Sequence, residues 1–277
     1  MTAHKALSLA DGVDGDVAAA LAERLAPIEP PKPALQGVRG RLLERTARSV
    51  VAGAGFVTTR GRDLEWTRVK DGAWMKLLRR GTHGNSVLIR VEASAVLPAH
   101  RHRWAEEGIV IEGDMRFGDQ ALRNGDYHRS VPRSRHDRIG SDNGGVAFLC
   151  GTSLGDTGGM LMELLGGVLP FRGDPPVTRL VAEARWTGVA EGVEECMLRD
   201  GPARSRLVRM APGSHFYPGS RGVGCDDERL VVSGEAFFGD VLLQQGDYQE
   251  ALSVRHPDRI ETDVGALLFL RGDSSSA

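Results

Sequence analysis

The sequence predicts an all-β protein: two tandem copies of one strand-rich domain behind a short helical N-terminal arm. Three observations carry this. First, 36 glycines and 13 prolines punctuate the chain without any long amphipathic repeat, the composition of short strands joined by many turns. Second, the chain repeats itself. Trp66-Thr67-Arg68-Val69-Lys70-Asp71-Gly72 is answered by Trp186-Thr187-Gly188-Val189-Ala190-Glu191-Gly192, and Gly125-Asp126-Tyr127 by Gly246-Asp247-Tyr248. The period, about 120 residues, is too long for a solenoid unit and suits a duplicated domain. Third, the first 55 residues are of different character.

Those residues form the arm. Asp16 stands at an N-cap position before Val17-Ala18-Ala19-Ala20-Leu21-Ala22-Glu23-Arg24-Leu25-Ala26, where alanine and leucine favour a short helix and Pro27 stops it. Pro27-Ile28-Glu29-Pro30-Pro31-Lys32-Pro33 is a stiff, extended linker, because each proline fixes φ and disfavours helix in the residue before it. Leu35 to Ser49 is the next helical candidate, carrying Arg39, Arg41, Arg45 and Arg48.

The first copy, residues 56–152, holds the chemistry. His100 and His102 lie one residue apart in Leu97-Pro98-Ala99-His100-Arg101-His102-Arg103-Trp104-Ala105-Glu106-Glu107-Gly108. Alternation along a strand puts both imidazoles on one face, so both can reach one ion. A carboxylate follows, and spacing alone leaves Glu106 and Glu107 open. The apolar run Ile109 to Ile111 continues to a turn at Gly113. Downstream, Gly125 opens a second turn, and Pro132-Arg133-Ser134-Arg135-His136 brings a third histidine onto a neighbouring strand.

The pattern His-x-His-x3-Glu-x6-Gly, then Gly-x6-Pro-x3-His, resembles the two cupin motifs. That resemblance implies a double-stranded β-helix (jelly-roll) barrel with one divalent metal at its mouth, held by His100, His102, Glu106 and His136. Glu106 ranks first because it alone leaves six residues before Gly113, with Glu107 then pointing outward or supporting the site. Zinc is the first choice of ion, with Fe(II), Mn or Ni as alternatives, since imidazole accepts all of them. The Trp66 start, the stretch from Leu88 through His100 and His102 to Asp119, Gly125-Asp126-Tyr127-His128, and the ending Phe148-Leu149-Cys150 resemble the ChrR cupin-like family. The likeness spans about residues 60–151 and again 180–272, so the chain reads as a bicupin. The arm, with Leu25-Ala26-Pro27-Ile28-Glu29-Pro30-Pro31, resembles the join that precedes the cupin-like domain of ChrR-type anti-sigma factors. It departs from that family in having no cysteine before Cys150, so the zinc-binding cysteine motif of the anti-sigma domain is missing.

Residues 153–177 form a linker in which Met160-Leu161-Met162-Glu163-Leu164-Leu165 reads as a short apolar helix. It is expected to pack between barrels or at a dimer contact, with cover for the first barrel's mouth as the alternative. The second copy, residues 178–272, has lost the ligand pattern. Arg221 and Val223, or with a shifted gap Ser220 and Gly222, fall where the paired histidines would be, and Glu106 and Glu107 align with Asp227 and Glu228. A half-site of Cys225, Asp227 and His256 is a weak alternative to a degenerate barrel kept for packing.

Composition narrows the rest. A net charge of −2 gives no reason to expect direct nucleic-acid or anionic-membrane binding. Three separated cysteines exclude a disulfide framework. With no signal-like or membrane-length apolar stretch, a cytoplasmic protein is expected. Two roles fit. The resemblance implies a zinc-binding regulator of anti-sigma type, a homodimer meeting a sigma factor through its arm. A metal-dependent dioxygenase acting on a small organic molecule in the first barrel is the other.

Overall fold

A computed structural model describes residues 39–44, 46, 55–136, 138–167, 175–201, 203–218, 228–252 and 259–273. The chain forms two units, residues 1–48 and 49–277. In the first, residues 39–44 and 46 are helical, within the second helix expected for the arm. The helix expected at residues 16–26 lies outside the described residues. No helix of the described residues is long and apolar enough to cross a membrane.

The second unit is a pair of β-barrels. Its first half contributes β1 (Phe56–Thr59), β2 (Thr67–Lys70), β3 (Ala73–Arg79), β4 (Asn85–Val91), β5 (Val96–Leu97), β6 (His100–Arg101), β7 (Glu106–Phe117), β8 (Gln120–Arg123), β9 (Tyr127–Ser130), β10 (Arg135–His136), β11 (Ile139–Gly140) and β12 (Gly145–Thr152). After the helix Thr157–Gly167 the pattern returns as β13 (Val177–Arg179), β14 (Thr187–Ala190), β15 (Val193–Arg199), β16 (Ala203–Met210), β17 (His215–Phe216), β18 (Glu228–Phe238), β19 (Val241–Gln244), β20 (Tyr248–Ala251), β21 (Ile260–Glu261) and β22 (Ala266–Asp273). The duplication read from the sequence is therefore a duplication of fold.

The two halves exchange their edge strands. The large sheet of the first barrel runs β13-β9-β7-β12-β4-β3-β2, and that of the second β1-β20-β18-β22-β16-β15-β14. Each thus ends on a strand lent by the other half, with Thr178 opposite His128 and Thr58 opposite Gln249. The loan hides an edge that would otherwise expose unpaired backbone groups. Aspartates fasten both loans: Asp126 accepts a hydrogen bond from the Val181 N–H (2.7 Å), and Asp247 one from the Gly61 N–H (3.0 Å).

Period-two alternation along the long strands then divides the core. Ile109, Ile111, Tyr127, Phe148 and Cys150 of the first barrel meet Leu198, Leu207, Leu230, Tyr248 and Phe269 of the second in one cluster between the barrels. Their neighbours Val110, Ala147 and Ile89 turn the other way, into the first barrel, with Met115 and Leu122. Full burial of each such side chain stabilises by about 1.5–3 kcal/mol, so the shared cluster binds the barrels into one body. β7 passes from the large sheet into the smaller one, where β8 and β11 pair with it. Gly113 makes that bend possible: its φ is 65°, and a Cβ there would lie 2.0 Å from the Gly144 carbonyl oxygen.

Candidate metal centre

The alternation that sorts the core also sorts the two glutamates. Glu106 shares the parity of Gly108 and Val110 and faces the interior of the first barrel, whereas Glu107 shares that of Ile109 and faces the second barrel. Glu107 is 2% exposed, so it does not point outward to solvent. Its carboxylate accepts hydrogen bonds from Tyr127 Oη (2.8 Å), Ser205 Oγ (2.5 Å) and Arg199 Nη1 (3.0 Å). Glu228 repeats the arrangement from the other side, with Tyr248, Ser86 and Arg271 as donors. The alignment of Glu107 with Glu228 is thus matched by a shared structural duty at the interface.

Inside the barrel, β6, the loop after it and the start of β7 bring His100, His102 and Glu106 together. The His100 and His102 rings stand 4.9 Å apart, edge to face, and His102 Nδ1 lies 3.9 Å from Glu106 Oε2. β10 pairs with β6 so that His136 stands opposite His100 in the ribbon. That backbone register brings the fourth expected residue to the cluster; the His136 side chain lies outside the described residues. Among the described residues, no three His, Cys, Asp or Glu side chains converge as closely as a bound ion would draw them. The half-site Cys225, Asp227 and His256 of the second copy also lies outside the described residues.

The electrostatics of this cluster fit a cation. Burial pushes the Glu106 carboxyl up to about 8, with nearby Glu163 adding to the rise and a hydrogen bond to Thr152 working against it. Burial also holds His102 well below the ordinary histidine range, reinforced by His100 and His128. His102 is therefore a neutral imidazole, the form that ligates. His100 Nδ1 lies 3.1 Å from the Pro98 carbonyl oxygen, which accepts its hydrogen bond and fixes the ring's orientation. Two imidazoles, that of His102 neutral, beside a buried carboxyl with no Lys or Arg ion pair among the described residues form a donor set that a divalent ion would complete.

Sequence reasoning passed over three neighbours. His128 on β9 is buried, stacks on Phe117 (4.3 Å between centroids) and meets Thr178 of the lent strand at 2.8 Å; burial lowers it to about 4. Its place inside Gly125-Asp126-Tyr127-His128, on a strand beside β7, was the available signal. Thr152 and Glu163 carry no motif. The helix Thr157–Gly167 roofs the mouth of this barrel, the alternative expected second from the sequence, with Met160, Glu163 and Leu164 facing the space beneath it. Glu163 fastens it, accepting hydrogen bonds from the Arg103 N–H (2.9 Å) and Ser153 Oγ (2.8 Å). Beneath the roof is a cavity of about 170 Å³ that His100, Glu106, Glu163, Met160 and Leu164 all line. Ile109 and Tyr127 belong to the cluster between the barrels. Trp104 packs against Arg103 and His83, and Phe117 against His128.

Residues 55–154 match the family described as the ChrR Cupin-like domain. Among solved structures, the chain is similar to a candidate dioxygenase from Nostoc punctiforme PCC 73102, with TM-score 0.57 and 17% identity over 80% of this chain and 85% of that one. Oxalate decarboxylase of Lactobacillus farciminis in a formate complex gives 0.55 and 14% over 79% and 86%. Bacillus subtilis oxalate decarboxylase, studied for its Mn(II) centres, gives 0.55 and 16% over 79% and 78%. At these identities the likeness establishes the two-barrel cupin fold. No curated protein sequence matches the chain. Family and fold together support a metal-binding cupin.

Proposed function

We propose that the first barrel holds one divalent metal on His100, His102, Glu106 and His136 and acts on a small organic molecule admitted beneath the roof helix, as a metal-dependent dioxygenase. The observation that carries this reading is the cavity. A structural ion closed by four protein ligands has no need of an adjoining chamber, whereas a catalytic ion keeps an open position facing its substrate. Here the chamber is walled on one side by His100 and Glu106 and on the other by the helix. When bound, the ion would supply positive charge to polarise an oxygen donor of the substrate. The protein's share is to hold His102 neutral and His100 beside it, to neutralise part of the ion's charge with Glu106, and to exclude water with the roof. Iron, manganese or nickel suits this role better than zinc, which does no redox chemistry. The test is oxygen uptake by protein reconstituted with each ion over a panel of small carbonyl compounds. Uptake that needs both ion and compound and is lost in His102→Ala supports the enzyme; uptake unchanged in that variant contradicts it.

A second reading is a zinc-binding regulator of anti-sigma type, favoured by the ChrR match of residues 55–154. In it, residues 1–55 meet a sigma factor and metal state is the signal. Full-length protein that captures a sigma factor, and loses it when the arm is deleted, supports this reading. Capture that survives the deletion argues against it.

A further inference from the structure

We infer that the roofed cavity selects a compact molecule with an apolar body and a single metal-seeking oxygen end, and rejects small dianions such as oxalate. The inference rests on the metal reading above and goes beyond it in naming the ligand class. Size sets the first limit. A cavity of about 150 Å³ lined by aliphatic side chains accommodates benzene, so the chamber here, about 170 Å³, takes a body of similar size. Its walls set the second. Ile89, Leu97, Ile139 and Leu149 from the barrel and Met160 and Leu164 from the roof surround it with hydrocarbon. Polar groups gather at His100, Glu106 and Thr152 near the proposed ion, with Glu163 at the roof.

Charge sets the third limit. Among the described residues lining the chamber, Lys70 is the one cation, and its ammonium donates to the Val96 carbonyl oxygen (2.7 Å). The arginines near the motif are engaged elsewhere: Arg101 Nε donates to the Arg133 carbonyl oxygen (3.0 Å), Arg103 lies over Trp104, and Arg90 over Trp66. A monoanion can place its one charge on the ion. A second carboxylate would lie against aliphatic walls and the carboxyls of Glu106 and Glu163, without the paired donors that carboxylate recognition requires. In the second barrel, Phe216, Phe238, Leu268 and Leu270 pack together in one buried cluster.

Calorimetric titration of metal-loaded, full-length protein with benzoate, acetate and oxalate tests this. Benzoate should bind about tenfold or more tightly than either of the others, and Met160→Trp, which fills the chamber, should weaken benzoate by about tenfold with metal content unchanged. A cavity-filling variant that fails to fold is replaced by Leu164→Phe, which places the same demand on the roof. Oxalate binding as tightly as benzoate, or benzoate indifferent to both filling variants, would overturn the inference. Benzene uptake by metal-free protein, followed by NMR, separates the two claims. If benzene enters but no ion ever loads, the metal reading fails and the apolar chamber stands. If an ion loads and benzoate does not bind, the ligand class alone is wrong.

Discussion

At the scale of single residues, adjacent glutamates with opposite duties are the most informative pair in the chain. Glu106 faces the cavity and Glu107 the other barrel, and period-two alternation separates them. Glu228, the counterpart of Glu107, accepts from Tyr248 and Arg271 with its side chain 1% exposed. Glu228→Gln should therefore cost about 3–5 kcal/mol in denaturant unfolding, as expected when one partner of a buried ion pair is removed. Metal content should stay unchanged. Asp114 offers a pH test. Partial burial raises its carboxyl, but the N–H groups of Asp142 and Asn143 and the Ser141 hydroxyl outweigh that and hold it below the ordinary value of 3.8. A depressed folded pKa means that the stabilisation is full above 3.8 and fades as pH falls through the lower, folded value. Asp114→Ala should cost about 1–3 kcal/mol at neutral pH, and the difference from wild type should shrink in melts run below about pH 3.5. The sequence showed the spacing of His100, His102, Glu106 and His136. It could not show that His128 and Thr152 stand beside them, because those contacts depend on which strands become neighbours.

At the scale of elements, the roof helix governs the site. Met160 and Leu164 line the cavity, Leu164 while still 41% exposed, and Leu161, Met162 and Leu165 are exposed as well, so its all-round apolar sequence gave no face to read. The helix was legible from composition; its position was not, because its fastening is a single glutamate reaching a backbone N–H next to His102. Glu163→Ala removes both of those hydrogen bonds. Amide exchange across residues 157–167 should then quicken by about tenfold or more, with exchange in β7 and β12 unchanged. Unchanged exchange in the helix would mean that apolar contact alone holds the roof. The lent strands β1 and β13 were equally hidden, since three or four residues carry too little pattern to declare a distant partner.

At the scale of the whole molecule, the duplication has produced one cooperative body with divided labour. The first barrel keeps the polar cluster and its chamber; the second has a buried apolar core and supplies Arg199, Ser205 and Arg271 to the interface. Reciprocal edge strands and a shared core predict a single calorimetric unfolding transition for residues 55–273, with no separable melting of either barrel. Two resolved transitions would show that the exchange does not couple them. The repeat made the pair of barrels legible from sequence, whereas the exchange that joins them was not. The central claim, one divalent ion in the first barrel, is tested most directly by elemental analysis of wild type and His102→Ala purified without chelator or added metal. About one ion per chain in wild type, falling to about a tenth of that in the variant, is the predicted result. Wild-type protein with no metal, or a variant that keeps its full complement, would contradict it.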